Sequence, residues 1–209
     1  MSLGPTGRRI TAISLATLAV AAGLGAVGFF LYPFYTDWHA GRQQASLRQQ
    51  FHSDAHKQAY REKKLDDGAA LTRIIVPAMG TDAMVVEGIS TKALNTGAGH
   101  YPNTPLPGEP GNMAIAGHRT TYGKPFARQE VLKQGDLIYL VTPFAKHTYE
   151  VVPPFDGHGP TWVVAGNDWS VAAPTKEAML TLTTCHPRGK ATHRLVTRAK
   201  LIKTEPLTA

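Results

Sequence analysis

A single cysteine among 209 residues leaves no partner for an internal disulfide and no set of thiolates for a multi-cysteine zinc centre. Charge is sparse at 18% and is not collected into long single-sign blocks, so a disordered solvating chain is excluded. No internal repeat of the solenoid kind is evident, and only one long apolar run occurs. What is present fits a folded chain. Hydrophobic residues make up 43%, enough to bury a core in one domain or at most two small ones. Gly (20) and Pro (15) are enriched, which points to many turns between short strands. Lys and Arg (22) exceed Asp and Glu (15), for a net charge of +7. Such a surface favours anionic surroundings: nucleic acid, lipid headgroups or acidic wall polymers. The positive charge is not gathered into an identifiable nucleic-acid motif, so no nucleic-acid partner is expected.

The apolar run extends from Ile10 to about Tyr35, interrupted by Thr11, Ser14, Thr17 and Pro33. About 25 residues at ~1.5 Å each exceed a hydrocarbon layer of ~30 Å. Phe29, Phe30, Tyr32, Phe34, Tyr35 and Trp38 supply an interfacial belt at its far end. Ala19-Val20-Ala21 resembles a signal-peptide cleavage site, but the apolar run continues well past it, which favours a retained anchor. Arg8 and Arg9 place the N-terminus, residues 1–9, in the cytoplasm. Residues 10–35 then form a single transmembrane anchor, and everything beyond lies outside the cell. Residues 36–70 read as a juxtamembrane stalk. Leu47, Phe51 and Tyr60 are too sparse for a continuous apolar stripe. Two readings stand: a partly helical, weakly packed stalk, or a helix docked on the following domain.

Residues 71–209 form the soluble domain. Arg73–Pro77, Met84–Gly88, Asn112–Ala116, Asp136–Val141, His147–Val152, Met179–Thr184 and Arg194–Ile202 read as strands separated by turns. Thr91–Asn95 and Ala127–Leu132 are short helices. The expected fold is all-β, a closed barrel or sandwich of about seven or eight strands.

The lone thiol ends the run Leu180-Thr181-Leu182-Thr183-Thr184-Cys185-His186-Pro187. Strand alternation puts Leu180, Leu182 and Thr184 on one face and Thr181, Thr183 and Cys185 on the other. A thiol nucleophile needs an imidazole or guanidinium to become thiolate near neutral pH. His118 stands at the mouth of the buried strand Asn112–Ala116, whereas His186 points away from Cys185 because strand neighbours face opposite sides. Arg194 opens the last strand at a spacing that suits a short connection from Cys185, with Arg198 on its face further along. A guanidinium so placed can stabilise an oxyanion.

Thr181-Leu182-Thr183-Thr184-Cys185 resembles the Thr-Leu-x-Thr-Cys signature of sortases, the cysteine transpeptidases of Gram-positive cell surfaces. Gly111-Asn112 with Ala116-Gly117-His118-Arg119 resembles the sortase histidine strand, and Arg194-Leu195-Val196 its arginine strand. Val86-Glu87-Gly88, Gly108–Asn112 and Leu132–Asp136 match in order and spacing, so the likeness covers about Leu71 to Lys203. His118–Gly123 together with Thr183–Pro187 is most similar to class E sortases of high-GC actinobacteria. That likeness implies clients bearing Leu-Ala-x-Thr-Gly rather than Leu-Pro-x-Thr-Gly signals, with Tyr122 at the position tied to this preference. The segment Pro153–Lys176 matches no family pattern cleanly.

The resemblance implies a sortase barrel with Cys185, His118 and Arg194 as catalytic residues, and with Tyr122 and Thr184 at the substrate. Cys185 attacks the Thr carbonyl of a sorting signal on a secreted protein. His118 serves the leaving amine, and Arg194 with a backbone N–H near Thr184 holds the oxyanion. The amine of a lipid-linked peptidoglycan precursor then resolves the thioester. No cofactor is implied, and no acidic cluster between Leu71 and Lys203 offers the roughly 6–8 oxygens of a calcium site, so no metal is expected. A non-enzymatic, membrane-anchored wall-binding module is the alternative. A papain-like Cys-Gly-x-Cys context and a Ser-His-Gly-Cys pattern of wall L,D-transpeptidases are both absent.

Overall fold

The computed structural model describes residues 5–207 apart from 154–156 and 158, with side chains from Thr17 onward. Arg8 and Arg9, which carry the expected orientation, lie outside the described side chains.

Among the described residues, nine strands follow the N-terminal helices: β1 (Ala70–Val76), β2 (Thr81–Glu87), β3 (Ala98–His100), β4 (Gly111–Gly117), β5 (Leu137–Val141), β6 (Ala145–Val152), β7 (Thr161–Ala165), β8 (Ala178–His186) and β9 (His193–Pro206). Their order is β6-β5-β1-β2-β3-β4-β8-β9, and β9 returns to pair with β6, so eight strands close a barrel. Closure depends on the length of β9, which has 14 residues. Its His193–Thr197 portion pairs with β7, its Arg198–Pro206 portion with β6, and its other edge with β8. The ninth strand, β7, is thus an appendage on the barrel wall beside the end of β8.

All seven expected strands are present, and the β5–β6 hairpin pairs Leu137 with Glu150 through Val141 with Lys146. Two strands were not expected. Three-residue β3 is too short to leave a period. β7 falls within Pro153–Lys176, where glycines and prolines hide its pattern; residues 154–156 and 158 of that segment lie outside the described structure. Short helices occur where expected, as a helical turn α3 at Thr91–Leu94 and a 3-10 turn at Gln129–Val131.

Alternation sorts the barrel wall into two faces. Met113, Ile115, Leu180, Leu182 and Ala199 point into the core with Leu71, Ile74, Phe126, Ile138, Leu140 and Tyr149. Most of these residues are fully buried, and burying one such side chain contributes roughly 1.5–3 kcal/mol. Phe126 closes one end of the core against Gly117. A Cβ there would stand 2.5 Å from the Phe126 ring, so only glycine admits this approach immediately before His118.

Helix α1 runs from Pro5 to Phe51 and is followed by α2 (Asp54–Arg61). The stretch from Thr17 is apolar and long enough to span a bilayer. Leu18, Leu24, Phe29 and Phe30 are each more than two-thirds exposed, a face that water would not favour. Beyond it, of the two readings of the stalk, the structure has the docked helix rather than the weakly packed one. Leu47 and Phe51 are buried with Ala70, Met84, Val86 and Ala93. Gln44 accepts from the Met84 amide at 2.6 Å and donates to the Met84 and Thr96 carbonyls. The Ala70 amide donates to Gln50 Oε1 at 3.1 Å. The docking stripe is Thr36, Ala40, Gln44, Leu47 and Phe51, at helical spacing but largely polar or small, so an apolar period could not reveal it.

Burial holds His56, His118 and His147 below the ordinary imidazole pKa, because desolvation penalises the charged ring. The unfolded chain therefore binds more protons than the folded one once pH falls below about 6.5. Their contribution is present above that value and is lost as pH falls through the lower folded-state values. The shifted carboxylate Asp82, at about 2, acts only in more acidic solution. Thermal unfolding of the full chain should show a falling midpoint from neutral pH toward about pH 5. A midpoint that is flat or rises over that interval would contradict the burial of these rings.

Candidate active site

Parallel pairing of β4 with β8 aligns Gly117 with Thr184. The next residues on the two strands are His118 and Cys185, so both emerge from the same end of the sheet on neighbouring strands, about 4.8 Å apart along the hydrogen-bonding direction. Antiparallel pairing of β8 with β9 sets Cys185 directly opposite Arg194. Opposed residues share a face, and here it is the outer face of the barrel wall, away from Leu182 and Ala199. Three chemically distinct side chains are thereby brought to one place by strand register alone.

They line one cavity of about 230 Å³, with Ala116, Gly117, Thr183 and Thr184 forming its floor. Gly166 to Trp169, which follow β7, line it as well, together with Ile89, Leu94 and Tyr101. Tyr101 donates to or accepts from Thr183 Oγ1 at 3.0 Å, and its ring meets Trp169 edge to face at 6.1 Å. The segment for which no family pattern was found therefore supplies part of the cavity lining.

His118 is half-buried, and its Nε2 is buried with no hydrogen-bond partner among the described residues. Desolvation lowers its pKa, so the ring is neutral at pH 7 and able to take a proton. Arg194 Nη1 donates to the carbonyls of Ala191 at 2.9 Å and His193 at 3.0 Å. No other protein group among the described residues engages the guanidinium, and its remaining N–H donors are uncommitted.

The two residues expected at the substrate stand differently. Thr184 lines the cavity, but its hydroxyl donates to the Gly117 carbonyl at 2.7 Å and is buried, so it presents backbone to the cavity. Tyr122 is absent from the lining. Its ring lies against His118, with centroids 5.1 Å apart. His186 turns to the other side, as alternation requires, and its Nδ1 meets Arg119 Nη1 at 3.0 Å.

Arg119 was not singled out from the sequence. It is buried, donates to the Cys185 carbonyl at 3.2 Å and pairs with Glu130 at 3.0 Å. Arg188 binds the same carboxylate. One guanidinium next to the histidine thus braces the backbone of the cysteine. A sequence reading could weigh only its position beside His118, since the Cys185 carbonyl that it braces lies 66 residues away.

A thiol, a neutral imidazole and a guanidinium around one cavity are the groups that acyl transfer requires: nucleophile, proton carrier and oxyanion donor. Comparison with known proteins agrees in kind. The sortase domain family matches residues 74–202. Sortase SrtE2 of Streptomyces coelicolor is 29% identical over 208 residues, covering 91% of this chain and 82% of the relative. Sortase D of Bacillus subtilis is 32% identical over 125 residues, covering 59% of this chain. That match spans only 58% of the Bacillus relative's length. The solved structure of sortase E from Streptomyces avermitilis superposes with a TM-score of 0.60 at 34% identity, covering 68% of this chain and 93% of that one.

Proposed function

Since the chain belongs to the sortase family of transpeptidases, we propose that it is a membrane-anchored class E sortase that joins secreted proteins to the cell wall. The observation that carries this reading is the shared cavity of Cys185, His118 and Arg194. A sorting signal enters the groove, His118 takes the Cys185 thiol proton, and the resulting thiolate attacks the Thr carbonyl. As the tetrahedral adduct collapses, His118 delivers its proton to the departing Gly amine, leaving a thioester on Cys185. Arg194 and a backbone N–H near Thr184 hold the oxyanion. The amine of a lipid-linked peptidoglycan precursor then attacks the thioester, and His118 accepts its proton. Attack forms the amide and restores the thiolate.

Residues 10–35 act as a single-pass anchor with the N-terminus in the cytoplasm, and residues 71–209 act as the catalytic domain on the wall side. Client and acceptor are both held at the membrane, and tethering the enzyme there raises its effective concentration over both. Tyr122 influences the signal's second position indirectly, through the ring of His118 that it covers. The non-enzymatic alternative does not account for the convergence of all three reactive groups.

The test is a peptide panel on the full chain in detergent micelles, with Ala or Pro at the second signal position. Class E assignment expects faster cleavage of Leu-Ala-x-Thr-Gly, between Thr and Gly, and hydroxylamine should trap the acyl group as a hydroxamate. Equal or faster use of the Pro peptide would overturn the class E assignment. An absence of hydroxamate with either peptide would overturn the thioester.

A further inference from the structure

The turn that follows His118 is held in an unusual conformation. Tyr122, Gly123 and Lys124 have φ of 51, 76 and 48°, three consecutive residues in the left-handed region. Residues with a Cβ disfavour that region, and a run of them persists only where surrounding contacts over-determine it. Those contacts come from α1. The Gly123 amide donates to Asp37 Oδ1 at 3.1 Å, and Lys124 Nζ pairs with Asp37 Oδ2 at 2.8 Å. Ala40 leaves just 3.6 Å to where a Cβ on Gly123 would stand. The Tyr32 and Tyr122 hydroxyls approach at 3.5 Å. From the other side, Thr81 Oγ1 donates to the Pro125 carbonyl at 2.7 Å. The ring of Tyr122 in turn covers His118.

We infer that α1 is a working part of the catalytic site, with Asp37 as a positioning residue that seats the 121–124 turn and, through Tyr122, the ring of His118. This rests on the reading of the chain as a sortase in which His118 moves the proton. The contact lies where the helix leaves its apolar stretch, among Tyr32, Tyr35 and Trp38. The stretch of α1 that meets the headgroup layer therefore also carries Asp37, which seats the turn, and the reactive cavity is indexed to the membrane surface. Asp37 and Lys124 are partly exposed, at 33% and 42%, and such pairs contribute little to global stability. Their effect is local: one carboxylate satisfies a strained backbone N–H and a neighbouring ammonium together.

The experiment uses the full chain in lipid nanodiscs. Asp37→Ala should lower kcat about tenfold with KM nearly unchanged, as expected for misplacement of a proton carrier rather than lost binding. Amide exchange at Gly123 should accelerate by about tenfold while exchange in the barrel strands holds. Asp37→Asn keeps an acceptor for the Gly123 amide and should retain kcat within about twofold of wild type. Unchanged Gly123 exchange in Asp37→Ala would overturn the seat. Faster exchange with unaltered kcat would overturn the positioning role while leaving the proposed function intact. A wild-type chain that turns over no sorting-signal peptide would overturn the function and the positioning role together, with the seat still legible in amide protection, so the failures are distinguishable.

Discussion

The Cys185→Ala chain is expected to cleave no sorting-signal peptide and to give no hydroxamate in the presence of hydroxylamine. No second thiol exists in the 209 residues to take its place, and the cavity floor otherwise offers Ala116, Gly117 and two threonines whose hydroxyls are engaged. Removing the nucleophile from a concerted set costs on the order of 10⁴–10⁶ in kcat, because the remaining groups have nothing to activate. Cys185→Ser should fare little better, since an alcohol is far less acidic than a thiol and a neutral imidazole alone deprotonates it weakly. Chromatography of the released Gly-side fragment measures turnover, and mass spectrometry of the intact chain reports the acyl adduct. Wild-type turnover in the alanine variant would end the proposal that the chain is a cysteine transpeptidase.

How much of this was legible beforehand depended on the range of the signal. Strands with several apolar residues in alternation, such as Met179–Thr184, announced themselves, and alternation then set Cys185 and Leu182 on opposite faces. The face assignment of His186 followed from the same rule. What stayed hidden was information carried by tertiary partners. Gln44 docks α1 by bonding to the backbone of β2, which leaves no apolar period. The significance of Arg119 resides in the carbonyl of Cys185, and that of Asp37 in the amide of Gly123. The role assigned to Tyr122 came from resemblance, and its place against His118 rather than in the cavity lining needed coordinates. β7 was missed because its five residues lie between Gly159-Pro160 and Gly166-Asn167, where turn signals dominate.

The second large effect is expected at Arg194. Losing an oxyanion donor typically costs about 10²–10³ in kcat, with KM affected far less, because the charge it stabilises exists only in the transition state. Arg194→Ala should show that pattern. Arg194→Lys should recover only part of it, since an ammonium is a point charge and lacks the planar fork. The comparison that tests the strand register is Arg198→Ala. Arg198 lies opposite Thr181, four residues further along the same strand face, and its guanidinium stands over the Trp162 ring at 5.7 Å. Its loss should change kcat by no more than a few-fold. Should Arg198→Ala prove the damaging change instead, the pairing of Cys185 with Arg194 would not describe the working enzyme. The pairing has a physical reason to hold. β9 is bonded on both edges at this point, with Cys185 on one side and Val164 of β7 on the other. The backbone of Arg194 is therefore fixed, while among the described residues the side chain is held only through Nη1, by two carbonyls of its own turn. Under the proposed mechanism, an oxyanion forming beside Cys185 competes for that guanidinium with the advantage of full charge. A rigid Cα carrying a lightly restrained cation is an arrangement that can follow charge as it develops and release it when the thioester forms.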